Sequence, residues 1–451
     1  MQTDRPEIQA PTVGVETETP TSEGAVNVPE APAPRPVTAA RPARRATKRG
    51  WKQTFDSLSN THFRHFWLGM MVMMGAMQMQ MMARGYLVYD LTNQNAAVLG
   101  LVNAATALPI LVLALFGGAL ADRIERKRIV QVGQGGAAIL AVFIAITISV
   151  GSVTWYHLLG ASIVHGSFMA LLMPARQAMI PQLVGKEKLG NAMALNAAGM
   201  SLTTLMAPAL AGGLYALIGP DGVYYVIGGM LVGAMLLTGL LPKSTAEPTD
   251  KRTTVLGDIK DGLSYIRRTR MVFVLLCLGL ATTMLAMPFR FLLPVFVVDI
   301  YHKGPEAMGL LVSLMGLGTL IGSLFIAGLG RFHRGLLLIA GSFMTGIALL
   351  LVSIFPVYAI ALGLMVLLGL GDAGRRALNQ ALVMEISEEQ YRGRVWSVFM
   401  MNFGLMPLGV LPAALVAEYF GGQVAIGILA GLMLLVSAVV LITHKQLRQF
   451  Q

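Results

Sequence analysis

Gly118-Ala119-Leu120-Ala121-Asp122-Arg123-Ile124-Glu125-Arg126-Lys127-Arg128 separates two long apolar runs, roughly residues 96–121 and 129–150. Each run reaches or exceeds about 20 residues, the length at which an α-helix crosses the hydrocarbon core of a bilayer. Four cations packed into the short turn between them read as a loop retained on one side of a membrane.

Composition points the same way. The chain is 55% hydrophobic and 13% charged over 451 residues, about half the charge fraction of a soluble domain, which sits near 25%. With 50 glycines available for close helix contact, this describes a polytopic helical membrane protein. A lone cysteine, Cys277, excludes an intramolecular disulfide. The net charge of +11 raises nucleic acid as a partner, and the placement of the cations in short loops removes it.

Residues 1–60 are rich in Pro, Thr, Ala and Glu without apolar periodicity, which predicts a disordered cytoplasmic tail. Its second half turns basic through Arg35, Arg41, Arg44, Arg45, Lys48, Arg49 and Lys52. The opening residues lack the apolar core of a signal peptide, so the first span is expected to act as the insertion signal. Twelve apolar segments follow, at approximately 65–89, 96–121, 129–150, 155–174, 192–217, 223–241, 271–300, 308–329, 335–354, 356–374, 395–418 and 423–443. With the N-terminus placed in the cytoplasm, 31 of the 34 Lys and Arg fall on that side. Lys303 falls outside, and Arg84 and Arg290 lie within spans. Such asymmetry predicts an even number of spans with both termini cytoplasmic.

The two sets of six spans superpose at an offset near 204 residues, Gly118 matching Gly322 and Pro208 matching Pro412. Segment 175–190, before span 5, parallels segment 375–393, before span 11. The expected organisation is all-α: an N-terminal six-helix bundle (61–242), a cytoplasmic linker (243–270), a C-terminal six-helix bundle (271–443) and a short cytoplasmic tail (444–451). Within the linker, residues 256–266 carry apolar side chains at helical spacing, as in a helix lying on the inner membrane surface.

The loop 118–128 resembles the signature between helices 2 and 3 of the major facilitator superfamily, G-x-L-A-D-R-x-G-R-R-[KR], with Glu125 replacing the usual glycine and Lys127 an arginine. Three further stretches are Pro174-Ala175-Arg176-Gln177-Ala178-Met179-Ile180-Pro181, Arg392-Gly393-Arg394-Val395 and Tyr89-Asp90-Leu91-Thr92. Together they are similar to the bacterial transmembrane secretion effector subgroup, which includes enterobactin exporters and macrolide efflux proteins. The resemblance spans residues 63–443. It implies the major facilitator fold, with two parallel repeats and substrate handled between them. It also implies an inner gate in which Gly118, Asp122, Arg123, Arg126 and Lys127 approach Arg394 at the start of span 11. An exposed carboxylate at a helix N-terminus gains about 0.3–1 kcal/mol. Ile326 stands where the second-half aspartate would fall, so one such latch is expected. In span 5, Gly199, Pro208, Gly212 and Gly213 resemble a degraded exporter glycine–proline motif. By residue type alone they are ordinary small-residue packing.

Polar groups at membrane depth are costly and by default face a cavity or one another. The resemblance makes spans 1, 4, 7 and 10 the cavity walls. Those spans carry Gln78, Gln80 and Arg84; His165; Thr282, Thr283 and Arg290; and Asp372. Gln78, Gln80, Arg84, His165 and Arg290 form the expected substrate-binding set. Two inward guanidinium groups suit a carboxylate, phenolate or phosphate. Snorkelling to the outer headgroups, or pairing with Asp90 and Asp299, remains open for both arginines. His165 and Asp372 are the proton-coupling candidates. His165 equally fits a buried neutral imidazole bonded to a neighbour, and Asp372 fits first a local ion pair with Arg375 and Arg376. Eight of the thirteen residues from Met70 to Met82 are methionine. They fall on every face of the helix without cysteine or histidine, so adaptable packing is expected and no metal.

No phosphate-binding glycine loop, metal-spaced His/Cys cluster or nucleophile–base pair appears, so neither enzyme activity nor a cofactor is expected. The chain reads as a monomeric secondary transporter of the cell (inner) membrane, with lipids, a small molecule and protons as partners and no nucleic acid. It is expected to export a small amphipathic or anionic molecule, drug or siderophore-like, by proton antiport. Two rivals remain. One is a facilitator or importer of a metabolite anion held by Arg84 and Arg290. The other is a non-transporting sensor or scaffold whose basic tail binds a partner or anionic lipid. Span 1 has no acid, and Ser162 stands where the resemblance leads one to expect an arginine in span 4. The antiport step therefore rests on His165 or Asp372.

Overall fold

The computed structural model describes residues 56–121, 125–242, 263–329, 333–389 and 391–448. All regular elements among them are helical. A 3₁₀ turn (Asp56–Ser59) precedes α1 (Thr61–Leu91), α2 (Ala96–Ala121), α3 (Arg126–Ser149) and α4 (Trp155–Gly239). Then follow α5 (Arg270–Phe291), α6 (Pro305–Leu329), α7 (Arg334–Ile354), α8 (Tyr358–Ile386), α9 (Arg392–Gly404), α10 (Pro407–Phe420) and α11 (Gly422–Thr443). Among the described residues, nine helical segments are long and apolar enough to cross a membrane by length and composition.

The 85 residues of α4 would extend about 130 Å if straight, several times the bilayer core. Its contacts show three passes instead. The first runs antiparallel to α3, with Phe168 and Leu172 against Gly136 and Gly133. The second runs parallel to α1: Trp67 Nε1 donates to Leu195 O at 3.2 Å, Met71 meets Gly199, and Gly75 meets Thr203. The third runs back along α1, Met230 at Gly75 and Leu237 at Gly69. The second reversal falls at Gly219, whose φ of +76° is a conformation glycine adopts without strain. These passes match the expected spans 4, 5 and 6.

Two expected spans are interrupted. Span 7 breaks at Leu292 between α5 and a short turn, Leu293–Val295, followed by a π-turn, Phe296–Ile300. Span 11 breaks between α9 and α10. Pro294 and Pro407 sit just beyond the two breaks, and each removes a helical donor. The boundaries of the expected tails also move. Ser57 N donates to Asn191 Oδ1 at 3.3 Å and Asn60 Nδ2 to Leu183 O at 3.0 Å, so residues 56–60 pack on α4. At the other terminus, Leu447 is buried against Gly335. Residues 1–55 and most of 256–266 lie outside the described residues. Tyr265 and Ile266, at the end of the linker, are buried in the core of the second set of helices.

The bundle has two chemically distinct ends. At one, Lys127 Nζ donates to the carbonyls of Gly239 (2.8 Å) and Leu241 (2.5 Å), closing the end of α4. The other carries Asp90, Asp221, Asp299, Glu306 and Glu418, and is called the acidic end below. Two seams join residues 61–241 to residues 270–443. In the first, the second pass of α4 crosses α6 at backbone contact. A Cβ on Gly212 would lie 2.5 Å from Pro305 O, and one on Gly309 2.4 Å from Pro208 O. Pro208 deprives Thr204 O of its helical donor, and Gly316 of α6 covers that carbonyl. Ser313 Oγ accepts from Ala209 N at 3.0 Å. In the second seam α2 crosses α10, Gly100 against Ala414. The span 5 residues thus divide: Pro208 and Gly212 build a seam, Gly199 packs on Met71 of α1, and Gly213 faces open space.

Candidate functional site

Arg84 projects from α1 into the first set of helices and is 7% exposed. Its Nη1 donates to Thr106 Oγ1 and to Ser162 Oγ, both at 3.0 Å, and its Nη2 to Asn103 Oδ1 at 3.4 Å. The acceptors come from α2 and the first pass of α4, and all are neutral. Neither snorkelling nor pairing with Asp90 describes this arginine: it is buried, and Asp90 is exposed. Ser162 therefore meets a guanidinium that arrives from α1. His165, one turn further along α4, is buried, and its Nδ1 has no hydrogen-bond partner. The neighbour bond expected of a buried neutral imidazole is missing at that nitrogen. Gln80 is also buried, with Oε1 unpaired.

Arg290, near the end of α5, occupies a different place. Its Nη2 reaches Gln78 Oε1 across the interface at a long 3.5 Å, and its Nε is buried without a partner. Asp299 is not its counter-ion. The pair lines a small pocket between α1, α2, α5 and α6, whose walls include Met81, Met82, Asn103 and Met308. Asn103 is one of the three residues that hold Arg84, so Arg84 stands behind this pocket and Arg290 in its wall. Of the five expected binding residues, the structure brings Gln78 and Arg290 together at the pocket. It places Arg84 one layer back, and leaves Gln80 and His165 off its lining.

Asp372 forms the local ion pair the sequence favours. Arg375 Nη2 binds its Oδ1 at 2.6 Å, and Arg376 Nη2 binds its Oδ2. Arg375 Nη1 also donates to Thr282 Oγ1 (2.9 Å) and Thr283 Oγ1 (3.2 Å). Both carboxylate oxygens are thus engaged by cations.

At the acidic end, polar contacts cross both halves of the chain. Tyr89 OH donates to Asp299 Oδ2. Glu418 of α10 accepts from Ala96 N (2.6 Å), Asn95 Nδ2 (3.1 Å) and Ala97 N (3.4 Å), so an anion sits on the N-terminus of α2. Neighbouring Tyr301 packs against Phe296 and Tyr358, and burial pushes its phenol up to about 12, leaving it a neutral hydroxyl at physiological pH.

The gate expected at the opposite end is described in part. Asp122 and Arg123 lie outside the described residues, and Gly118 falls within α2. Arg128 pairs with Glu125 at 3.0 Å, and Lys127 closes α4 as above. Arg394 stacks over the Tyr391 ring at 5.6 Å.

Sequence reasoning missed Asn103 and Thr106, whose signal is a polar side chain inside an apolar span. It also missed Arg176, which is buried with Nη1 on Met74 Sδ at 3.4 Å. Tyr89 and Glu418 carried no local signal of a cross-chain role. The methionines of α1 are mostly core, and Met81 and Met82 line the pocket.

A family model described as transmembrane secretion effector matches residues 52–451. The staphyloferrin A transporter of Staphylococcus aureus (strain NCTC 8325 / PS 47) is 26% identical, over 73% of this chain and 83% of its own. Macrolide efflux protein A of Streptococcus pyogenes is 24% identical over 74% and 85%. The enterobactin exporter EntS of Citrobacter koseri is 26% identical over 66% and 71%. Among solved structures, the nucleoside transporter NupG superposes with a TM-score of 0.68 at 13% identity, covering 86% of this chain and 99% of that one. An inward-facing, unoccupied bacterial homolog of the human lysosomal transporter Spinster gives 0.67 at 14% identity, over 84% and 96%. The two structures speak for the fold.

Proposed function

The chain belongs to the transmembrane secretion effector family of the major facilitator superfamily, a multi-pass transporter of the cell membrane, and from that premise we propose that it exports a small anionic or amphipathic molecule by alternating access. The observation that carries the reading is the charge imbalance at depth. Among the described residues Arg84, Arg176 and Arg375 are buried and Arg290 and Arg376 half-buried, against one buried carboxylate, Asp372, whose two oxygens are already bound. A desolvated cation without a counter-ion is costly, so a site that retains one is arranged for an anion. The pocket between Gln78 and Arg290 is the proposed place of that anion. Relatives named for efflux and export favour the outward direction.

Twelve passes in two six-helix bundles, with both termini cytoplasmic, accommodate these helices. In this reading α1, α9–α10 and the three passes of α4 join the remaining seven helices. The contacts across the acidic end then form the outer gate, and the signature loop lies at the inner one. Proton antiport is the proposed driving force. His165 is the stronger coupling candidate, because its Nδ1 is unpaired while Asp372 is clasped from both sides.

The test is proton movement by the purified protein in liposomes, across siderophore-like and macrolide-like compounds, with His165→Ala and Arg290→Gln as comparisons. Substrate-dependent proton flux lost in His165→Ala supports antiport. Substrate moving down its gradient without proton flux overturns antiport and leaves a facilitator. Unaltered anion transport by Arg290→Gln overturns the assigned site.

A further inference from the structure

Arg290 is a wall of two pockets, and only one of them lies between the halves. The second is a small pocket among α5, α6, α7 and α8, lined in part by Met287, Met315, Thr345, Asp372 and Arg376. Most of this wall is thioether and hydrocarbon. Its polar complement is one hydroxyl, one carboxylate and the guanidinium groups of Arg290 and Arg376. Arg375 lies directly behind, on Asp372 and the two threonines.

Asp372 is one negative charge shared by Arg375 and Arg376. With Arg290 added, three guanidinium groups face one carboxylate, and two positive charges remain uncompensated. Arg290 and Arg376 line this pocket together; Arg376 is bound to Asp372 with its side chain 41% exposed, while Arg290 is short of acceptors. Arg290 has the single long contact to Gln78 and a buried, unpartnered Nε. A guanidinium carries five donors on more than one edge, so one arginine can serve an acid on each side. A monoanion between the halves would leave one of the two excess charges unmatched.

Resting on the reading of the Gln78–Arg290 pocket as the transport site, we propose that the pocket at Arg376 is a second anion subsite. The substrate is then a polyacid: at least two carboxylate, phenolate or phosphate groups straddle Arg290, one toward Gln78 and one toward Arg376. The apolar walls of both pockets hold the carbon skeleton between the acids.

The experiment measures binding of butyrate, glutarate and tricarballylate to the purified full-length protein by calorimetry at constant ionic strength. These probes carry one, two and three carboxylates on short chains. One additional charge-assisted contact predicts a preference of about tenfold or more for the polyacids over butyrate. Arg376→Gln is expected to collapse that preference toward unity. Met315→Phe fills the same pocket without altering its charge and is expected to do the same, which separates the subsite from any folding defect of the arginine variant. Arg290→Gln is expected to abolish binding of all three probes. If Arg290→Gln binds them as wild type does, the transport-site reading itself falls. If Arg290→Gln abolishes binding but wild type shows no polyacid preference, or the preference survives both Arg376→Gln and Met315→Phe, the second subsite alone is refuted.

Discussion

Opening of the acidic end should respond to removal of one hydroxyl. Tyr89 is 1% exposed and its OH donates across the interface to Asp299. Phenylalanine keeps the ring in place, so Tyr89→Phe isolates the bond. Hydrogen bonds to charged groups contribute about 1.5–3 kcal/mol. Asp299 is exposed and recovers water when the bond is lost, which reduces the net effect to about 1–1.4 kcal/mol. That corresponds to roughly a five- to tenfold rise in the population open at this end. Glu418→Ala removes the anion from the N-terminus of α2. The residue is exposed, so its contribution is about 1 kcal/mol, again near fivefold. The assay is the labelling rate of a cysteine at position 308, in the pocket wall, by a membrane-impermeant maleimide added from the acidic side. Cys277 is exposed and is first replaced by serine. While the open state is the minor one, the rate scales with its population, and the double variant should approach the product of the single effects. Rates within twofold of the parent in both single variants would refute the gate.

Three further outcomes are expected. Gly212→Val places a Cβ about 2.5 Å from Pro305 O, a backbone atom that cannot yield; labelling at position 308 should accelerate and transport should fall, and a normal rate of both contradicts the seam. Arg84→Met removes a buried cation whose acceptors are neutral, so thermal stability should hold or rise by about 1–2 kcal/mol while transport is lost; a fall in Tm with transport retained would make Arg84 a structural residue. Lys127→Ala forfeits both contacts to the end of α4 and should cost about 1 kcal/mol, read as a lowered Tm; an unchanged Tm counts against this capping role.

Much of the fold is legible from residue order. The three passes inside α4 fall where runs 155–174, 192–217 and 223–241 placed them, although helical hydrogen bonding continues through both reversals. The interruptions at Leu292 and before Pro407 were visible only as prolines inside apolar runs. Proline states that a donor is missing without stating whether a helix bends or breaks. The polar site was half legible. In the sequence, Arg84 and Arg290 read as two inward guanidinium groups of one binding set because each is a cation inside an apolar span. Their roles diverge because α1 turns Arg84 toward Asn103, Thr106 and Ser162, while α5 turns Arg290 toward Gln78 and the opening between the halves.

What the chain determined by itself is what depends on local partitioning: which segments prefer lipid, which loops carry the cations, and which family the signature loop resembles. Each is a property of a run of neighbouring residues against water or hydrocarbon. What only the tertiary structure decided are contacts between residues far apart in the chain. Tyr89 and Asp299 are 210 residues apart, and Ala96 and Glu418 322. Those partners depend on the rotation and crossing of whole helices. That crossing is set at a few points where glycines admit a facing backbone, Gly212 and Gly309 in one seam and Gly100 in the other. Hydrophobic periodicity is the same for every rotation that keeps a helix in the membrane, so it could not choose among them. Packing made the choice, and with it put Arg290 in the walls of two pockets.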